Sequence, residues 1–258
     1  ASNILVANNT IENNSQHGLN LYKAKDVRIL DNKISSNKEH GIFCTRECEN
    51  VLIGANNISS NGRNGIELND DITSSTMKQN ILKDNKRAGI AIANSSSNKA
   101  DDNLMQQNGI GTIITKNSSH NTISNNSITY SDSNGILLET DSSNNRIEKN
   151  EIKQSGRSGV YMKYAIDNIF DRNNIAENLE NGMVLLNSAK NVLINNNVSA
   201  NAPYNYYLRP NSTFNVIRDT YFENASLRFF NNSSNLIVEN TDNRVTNNNK
   251  KVPIHAYP

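Results

Sequence analysis

Residues 9–22 read NTIENNSQHGLNLY, residues 32–45 read NKISSNKEHGIFCT and residues 56–69 read NNISSNGRNGIELN. These stretches start 23 and 24 residues apart and share one skeleton. An Asn is followed two residues later by Ile, then by a Gly, then by apolar residues at alternate positions. Carried along the chain, the Asn column is Asn9, Asn32, Asn56, Asn80, Asn103, Asn126, Asn150, Asn173 and Asn196. A second column reads Gly18, Gly41, Gly65, Gly89, Thr112, Gly135, Gly159, Gly182 and Asn205, with a mean step of (205 − 18)/8, about 23.4 residues. Gly and Asn are the residues that best tolerate a left-handed backbone, so this column is expected at a left-handed turn, with Thr112 as a defect.

The residues after the Gly column alternate. Inward pairs are Leu19/Leu21, Ile42/Cys44, Ile66/Leu68, Ile90/Ile92, Ile113/Thr115, Ile136/Leu138, Val160/Met162, Met183/Leu185 and Tyr206/Leu208. Period two means strand. Each repeat holds three short strands and their turns, with no room for a long helix. Such strands stack as coils of a parallel β-helix. The expected fold is therefore all-β, a solenoid of about ten coils of ~23 residues. Equal positions in stacked coils lie about 4.8 Å apart. An inward Asn then rests on the Asn of the next coil, and the amides satisfy one another. This accounts for 51 Asn in 258 residues.

The expected organisation is one domain over residues 1–258, regular over about 3–220, with an irregular last coil and tail over 221–258. The chain starts inside a coil, so a capping segment is expected upstream. With 26 basic and 25 acidic residues the net charge is +1, which argues against a nucleic-acid partner. No apolar run is long enough for a membrane span. A monomer is expected. Cys44 falls at an inward position and Cys48 in the following turn; a local disulfide and two free thiols both fit.

The outward residues after the Gly column form a stripe: Asn20, Phe43, Glu67, Ala91, Ile114, Leu137, Tyr161, Val184 and Tyr207. Two residues further on lie Tyr22, Thr45, Asn69, Ala93, Lys116, Glu139, Lys163, Leu186 and Arg209. Rings stack on sugar faces and cations meet uronate carboxylates, so the stripe suits an anionic polysaccharide. His17 and His40 are neighbours in one column, beside Glu39. They read either as a turn pair facing solvent or as a proton-transfer site. Asp70-Asp71 and Asp101-Asp102 fall in turns, without calcium spacing. No cofactor and no required metal are expected.

The coil pattern resembles the right-handed parallel β-helix repeats of pectate lyases, alginate epimerases and surface proteins. Lys38-Glu39-His40-Gly41-Ile42-Phe43-Cys44-Thr45-Arg46-Glu47 is similar to the His-Gly-Ile-x-x-Ser-Arg-Glu segment of periplasmic mannuronan C5-epimerases. This resemblance implies an extracellular, periplasmic or cell-surface location. It also implies that Arg46 neutralises a uronate carboxylate. That family's Asp-Pro-His-Asp motif falls here on Asn20, Leu21, Tyr22 and Lys23, and none of the four matches. Tyr22 then becomes the candidate acid or base, His40 or His17 supplies the other proton, and Asn20, Lys23, His17, Phe43, Glu67, Asn69 and Asp70 line the substrate. Three readings stay open: an enzyme acting at C5 of a uronate polymer by epimerisation or β-elimination, a non-catalytic polysaccharide-binding module, and a structural surface solenoid.

Overall fold

A computed structural model describes residues 1–218 and 220–223 and the strands at 226–229 and 237–239. It is a parallel β-solenoid. Each coil contributes one short strand to each of three sheets, which hold eleven, ten and ten strands. The first coil shows the plan: Ser2–Ala7 enters the first sheet, Thr10–Glu12 the second and Leu19–Tyr22 the third. The expected tail Lys250–Pro258 lies outside the described residues.

Inside the coils the apolar residues stack in rows. Ile29 and Ile53 fill the first sheet's row, Ile34 and Ile58 the second's, Ile42 and Ile66 the third's, all fully buried. The corners are built by amides. Asn56 illustrates the rule: its backbone N–H and its Nδ2 both donate to Oδ1 of Asn80 at 3.0 Å. Its Nδ2 also reaches the carbonyls of Ile29 and Gly54 at 2.9 Å. Its own Oδ1 accepts from Asn32 at 2.9 and 3.0 Å. Every polar atom of this buried amide is used, which removes the cost of burying it.

The predicted Asn column is this ladder, with side-chain links of 2.9–3.1 Å. Two further ladders occupy the other corners. One runs Asn14, Asn37, Asn61, Asn85, Asn108, breaks at Ser131 and Ser155, and resumes at Asn178 and Asn201. The other runs from Asn98 through Asn121, Asn145, Asn168 and Asn191 to Asn215. At these corners the residue before the ladder Asn takes a left-handed conformation, as Asp31 (φ 56°), Ala55 (φ 53°) and Gln79 (φ 56°) do.

That assignment corrects the reading of the Gly column. No glycine of the described chain has positive φ. Its requirement is space: a Cβ on Gly41 would lie 2.6 Å from Cγ2 of Ile58 and 2.7 Å from the carbonyl oxygen of Gly65. The column also passes through Gly111, not Thr112. A Cβ on Gly89 would meet the Gly111 oxygen at 2.9 Å, and one on Gly111 the Gly135 oxygen at 2.4 Å. The strand register follows: Ile90 pairs with Thr112, Ala91 with Ile113 and Ala93 with Thr115. Thr112 and Ile114 therefore point inward, and Ile113 and Thr115 take the stripe places expected for Ile114 and Lys116. Steps of 23 and 24 residues hid the one short coil, from Gly89 to Gly111.

Cys44 and Cys48 are buried free thiols. Burial pushes the Cys44 thiol well up. Cys48 Sγ accepts the Ala24 N–H at 3.3 Å. Serine fills that place further along the stack, where Ser95 Oγ accepts from Ile72 at 3.1 Å and Ser118 Oγ from Ser95 at 3.2 Å.

Candidate functional site

The crowded glycines fix where each third-sheet strand begins, and the residue just before them is held against the next coil. His17 and His40 occupy that place in the first two coils. Nδ1 of His17 accepts the backbone N–H of His40, and Nδ1 of His40 accepts that of Asn64, both at 3.3 Å. In the third coil Asn64 itself performs the same task, its Oδ1 accepting the Ala88 N–H at 3.0 Å. In these three coils the place holds an acceptor, and imidazole and amide both provide one.

An accepting Nδ1 carries no proton, so the proton of each ring sits on Nε2. Each Nε2 faces a carboxylate: Glu39 is 3.3 Å from His17 and Glu67 is 3.2 Å from His40. Glu67 is held in turn by Asn64 Nδ2 at 2.7 Å. The two rings stack with centroids 5.1 Å apart, and Phe43 covers both at 4.7 and 5.2 Å. Far from facing solvent as a turn pair would, His40 is only 3% exposed.

Burial, reinforced by competition with His17 for a proton and by the neighbouring Arg63 and Arg87, pushes His40 down to about 3. His17 also lies below the ordinary histidine range, because burial and Arg63 outweigh Glu39. Both rings are therefore neutral near pH 7, in agreement with their accepting Nδ1 atoms. The contacts to Glu39 and Glu67 are hydrogen bonds to neutral imidazole, not ion pairs. The ligand atoms of His17, Glu39 and His40 lie within 4.8 Å of one another. A cation there would need the lone pair of Nε2. Its proton would then have to move to Nδ1, against an incoming backbone N–H. The donor set forms a hydrogen-bonded clamp and does not fit a resident metal.

A second group stands where the same strands end. Tyr22 pairs with Thr45 and Thr45 with Asn69 in the sheet register. The following turn residues Lys23, Arg46, Glu47, Asp70 and Asp71 all have positive φ, which swings their side chains outward. Arg46 Nη1 donates to the Tyr22 hydroxyl at 3.4 Å, and its guanidinium carbon lies 5.7 Å from the Tyr22 ring centroid. Nε of Arg46 is 3.8 Å from Asp70. Lys23 and Glu47 pair beside them at 3.5 Å. These contacts are long and open to water, so they hold Arg46 weakly.

The structure thus brings Tyr22, Lys23, Arg46 and Asp70 together in one group and His17, His40, Phe43 and Glu67 in another, on the same three coils. Asn20 and Asn69 lie on the outer face of these strands, Asn20 in register with Phe43. Among the described residues no hydrogen bond or ion pair joins the two groups. Sequence reasoning missed Arg63, which follows Glu39 in the stacked column with Arg87 after it. Arg63 stands 3.9 Å from Glu39. A pair of Arg one repeat apart was the available signal.

The geometry defines a parallel β-helix with a polar cluster on the outer face of one sheet. The sequence model of the right-handed β-helix region matches residues 1–128 and 111–257, and the chain belongs to that family. Among solved structures it is similar to the A-module of mannuronan C-5 epimerase AlgE4 from Azotobacter vinelandii, with 18% identity and TM-score 0.75. That match covers 83% of this chain and 64% of the other. It is also similar to a variant of the periplasmic alginate epimerase AlgG, with 17% identity and TM-score 0.67, covering 80% of this chain and 51% of that one. A third is the enzymatically active domain of tailspike protein 2 of bacteriophage CBA120, with 14% identity and TM-score 0.63, covering 94% and 42%. The chain spans between two-fifths and two-thirds of the length of these structures. No curated protein sequence matches it.

Proposed function

We propose that the protein acts on an anionic, uronate-containing polysaccharide outside the cytoplasm, by proton transfer at C5. The observation that carries this reading is the pair Tyr22–Arg46. It presents a phenol and a loosely held guanidinium side by side on the outer face of the third sheet. Abstraction of the C5 proton leaves an enolate on the uronate carboxylate, and a cation at that carboxylate lowers the cost of the charge. Arg46 is that cation. Tyr22 exchanges the proton, Asn20, Lys23, Asn69 and Asp70 contact the sugar, and the neutral His17 ring supplies the second proton-transfer group. His40, the more deeply buried of the two rings, is a positioning residue that orients His17 and Glu67. Reprotonation on the opposite face gives epimerisation. Loss of the C4 glycosidic oxygen with the electron pair gives β-elimination. The likeness of the fold to epimerase structures supports the polymer class.

The replacement of Asp-Pro-His-Asp by Asn20-Leu21-Tyr22-Lys23 favours a second reading, a binding module on the same face without chemistry. An NMR time course with polymannuronate, polyguluronate and pectate, on wild type and Arg46→Ala, separates the two. Inverted C5 centres or new unsaturated ends, lost in the variant, are expected. Binding without any change in the polymer selects the second reading.

A further inference from the structure

The third sheet carries a second concentration of aromatic and cationic side chains five to seven coils beyond Arg46. Val160–Lys163, Met183–Leu186 and Tyr204–Leu208 form its outer face there. Tyr161 pairs in register with Val184 and Val184 with Tyr207, so the two rings share one row. Tyr204 packs against Tyr207, with centroids 5.5 Å apart. Lys163 lies 5.6 Å from the Tyr164 ring centroid, and Arg209 lies 5.9 Å from that of Tyr207. Tyr164 is about half exposed.

The charge pattern differs from that around Arg46. There Glu47, Glu67 and Asp70 stand among the cations. In the three distal strands and the residues just after them no acid occurs. Glu139 is the register neighbour of Lys163, yet neither Lys163 nor Arg209 makes an ion pair among the described residues. The Nε–H of Arg209 is buried without an acceptor, which marks a guanidinium whose donors are not all used. Between the two zones the outward residues Ala91, Ala93 and Ile113 are apolar and at most 4% exposed. They form a low floor, on which Thr115 and Glu139 are the outward polar residues.

We infer that Tyr161, Lys163, Tyr164, Tyr207 and Arg209 form a second, non-catalytic contact zone for the same anionic polysaccharide. Rings on one row suit pyranose faces, and two cations outside any ion pair among the described residues suit uronate carboxylates. The inference rests on the polysaccharide reading of the Tyr22–Arg46 zone. Five to seven strand spacings of about 4.8 Å separate the zones, roughly 24–34 Å, and an extended 1,4-linked uronate advances by a similar length per sugar. One chain of six to eight sugars, in this rough count, bridges both zones. Shorter chains reach only one.

The test is calorimetric binding of a uronate tetrasaccharide and a uronate dodecasaccharide at low salt, to wild type and to the double variant Lys163→Ala/Arg209→Ala. Thermal melts establish that the variant is folded. Wild type is expected to bind the dodecasaccharide on the order of ten-fold or more tighter than the tetrasaccharide, because the second contact becomes intramolecular. The double variant is expected to lose that length dependence. A Tyr161→Ala variant, which leaves both cations in place, is expected to lose part of it. A length dependence that survives in the double variant overturns the second zone and leaves the polysaccharide reading standing. No binding of either oligomer to wild type overturns both.

Discussion

Nδ1 of His40 accepts the backbone N–H of Asn64, one coil further along the stack, at 3.3 Å. A protonated ring cannot accept that bond, so the contact ties coil stacking to the charge state of one side chain. The folded protein holds His40 neutral down to about 3, against 6.5 for an ordinary histidine. The groups facing the ring are His17, Glu67, Arg63 and Arg87.

A depressed folded value means that the unfolded chain binds the proton first. The stability contributed by neutral His40 is complete above pH 6.5 and is lost progressively as pH falls toward 3. At pH 4 the loss is on the order of 3 kcal/mol relative to pH 7.5. His40→Asn keeps an acceptor, as Asn64 does at the same place, and does not titrate. Urea unfolding from pH 7.5 to 4 is expected to show a steeper loss for wild type than for His40→Asn. Parallel curves for the two proteins would remove the linkage.

Asn126 is representative of the first ladder. Its Oδ1 accepts two bonds from Asn103, at 3.0 and 2.9 Å, and its Nδ2 reaches Asn150 Oδ1 and the Ala100 carbonyl at 2.9 and 3.0 Å. Asn126→Ala leaves the Asn103 backbone N–H without its acceptor inside the stack, while Asn103 Nδ2 keeps the Met77 and Asp101 carbonyls. The expected loss is about 1–3 kcal/mol in equilibrium unfolding. An exposed amide such as Asn20 changed to Ala is the control and should cost well under 1 kcal/mol.

The second ladder predicts the opposite sign. Asn108 is followed in its column by Ser131 and Ser155, and Ser155 Oγ is buried without a partner. In neighbouring coils the same corner accommodates Asn beside its glycine, with Asn61 Nδ2 2.9 Å from a Cβ placed on Gly41. Ser155 Oγ lies 3.1 Å from one on Gly135. The double change Ser131→Asn/Ser155→Asn would close the gap between Asn108 and Asn178. Thermal and urea melts are expected to show a gain of about 1–2 kcal/mol. A loss would mean that the coil spacing there is fitted to serine.

The fold was legible because the ladder and the row of Ile beside it repeat at almost constant spacing, and each repeat states the same physical demand. What failed was the reason given for glycine. A left-handed turn and a lack of room for Cβ select the same residue, and only the neighbouring coil, 2.6 Å away at Ile58 Cγ2, tells them apart. Gly111 was missed for a related reason: a count held to steps of 23 and 24 residues chose Thr112 over an adjacent glycine. Of the candidate site, the repeat placed Tyr22, Arg46 and His17 on adjacent coils, but their separation into two clusters was not legible. Nor was the burial of His40, because one sequence position outside a strand carries no sign of which coil closes over it. The Asn64 that repeats its acceptor role one coil later was the available clue.

Arg46 and Tyr22 supply the closing prediction, because their contact is weak in the free protein and their proposed duties differ. The 3.4 Å bond and the solvent-open guanidinium contribute under 1 kcal/mol to folding, so Arg46→Ala, Arg46→Lys and Tyr22→Phe should melt with wild type. On a uronate polymer the three should separate. Loss of the cation removes charge stabilisation in the transition state, and Arg46→Ala is expected to lower kcat/KM by about 100-fold or more. Arg46→Lys keeps the charge without the two-pronged geometry and should recover part of that loss. Tyr22→Phe keeps the ring and loses the proton-transfer group, so it should lower kcat with little change in KM. If Tyr22→Phe instead raised KM and left kcat untouched, Tyr22 would be a stacking platform for the sugar, and the proton would have to move through His17.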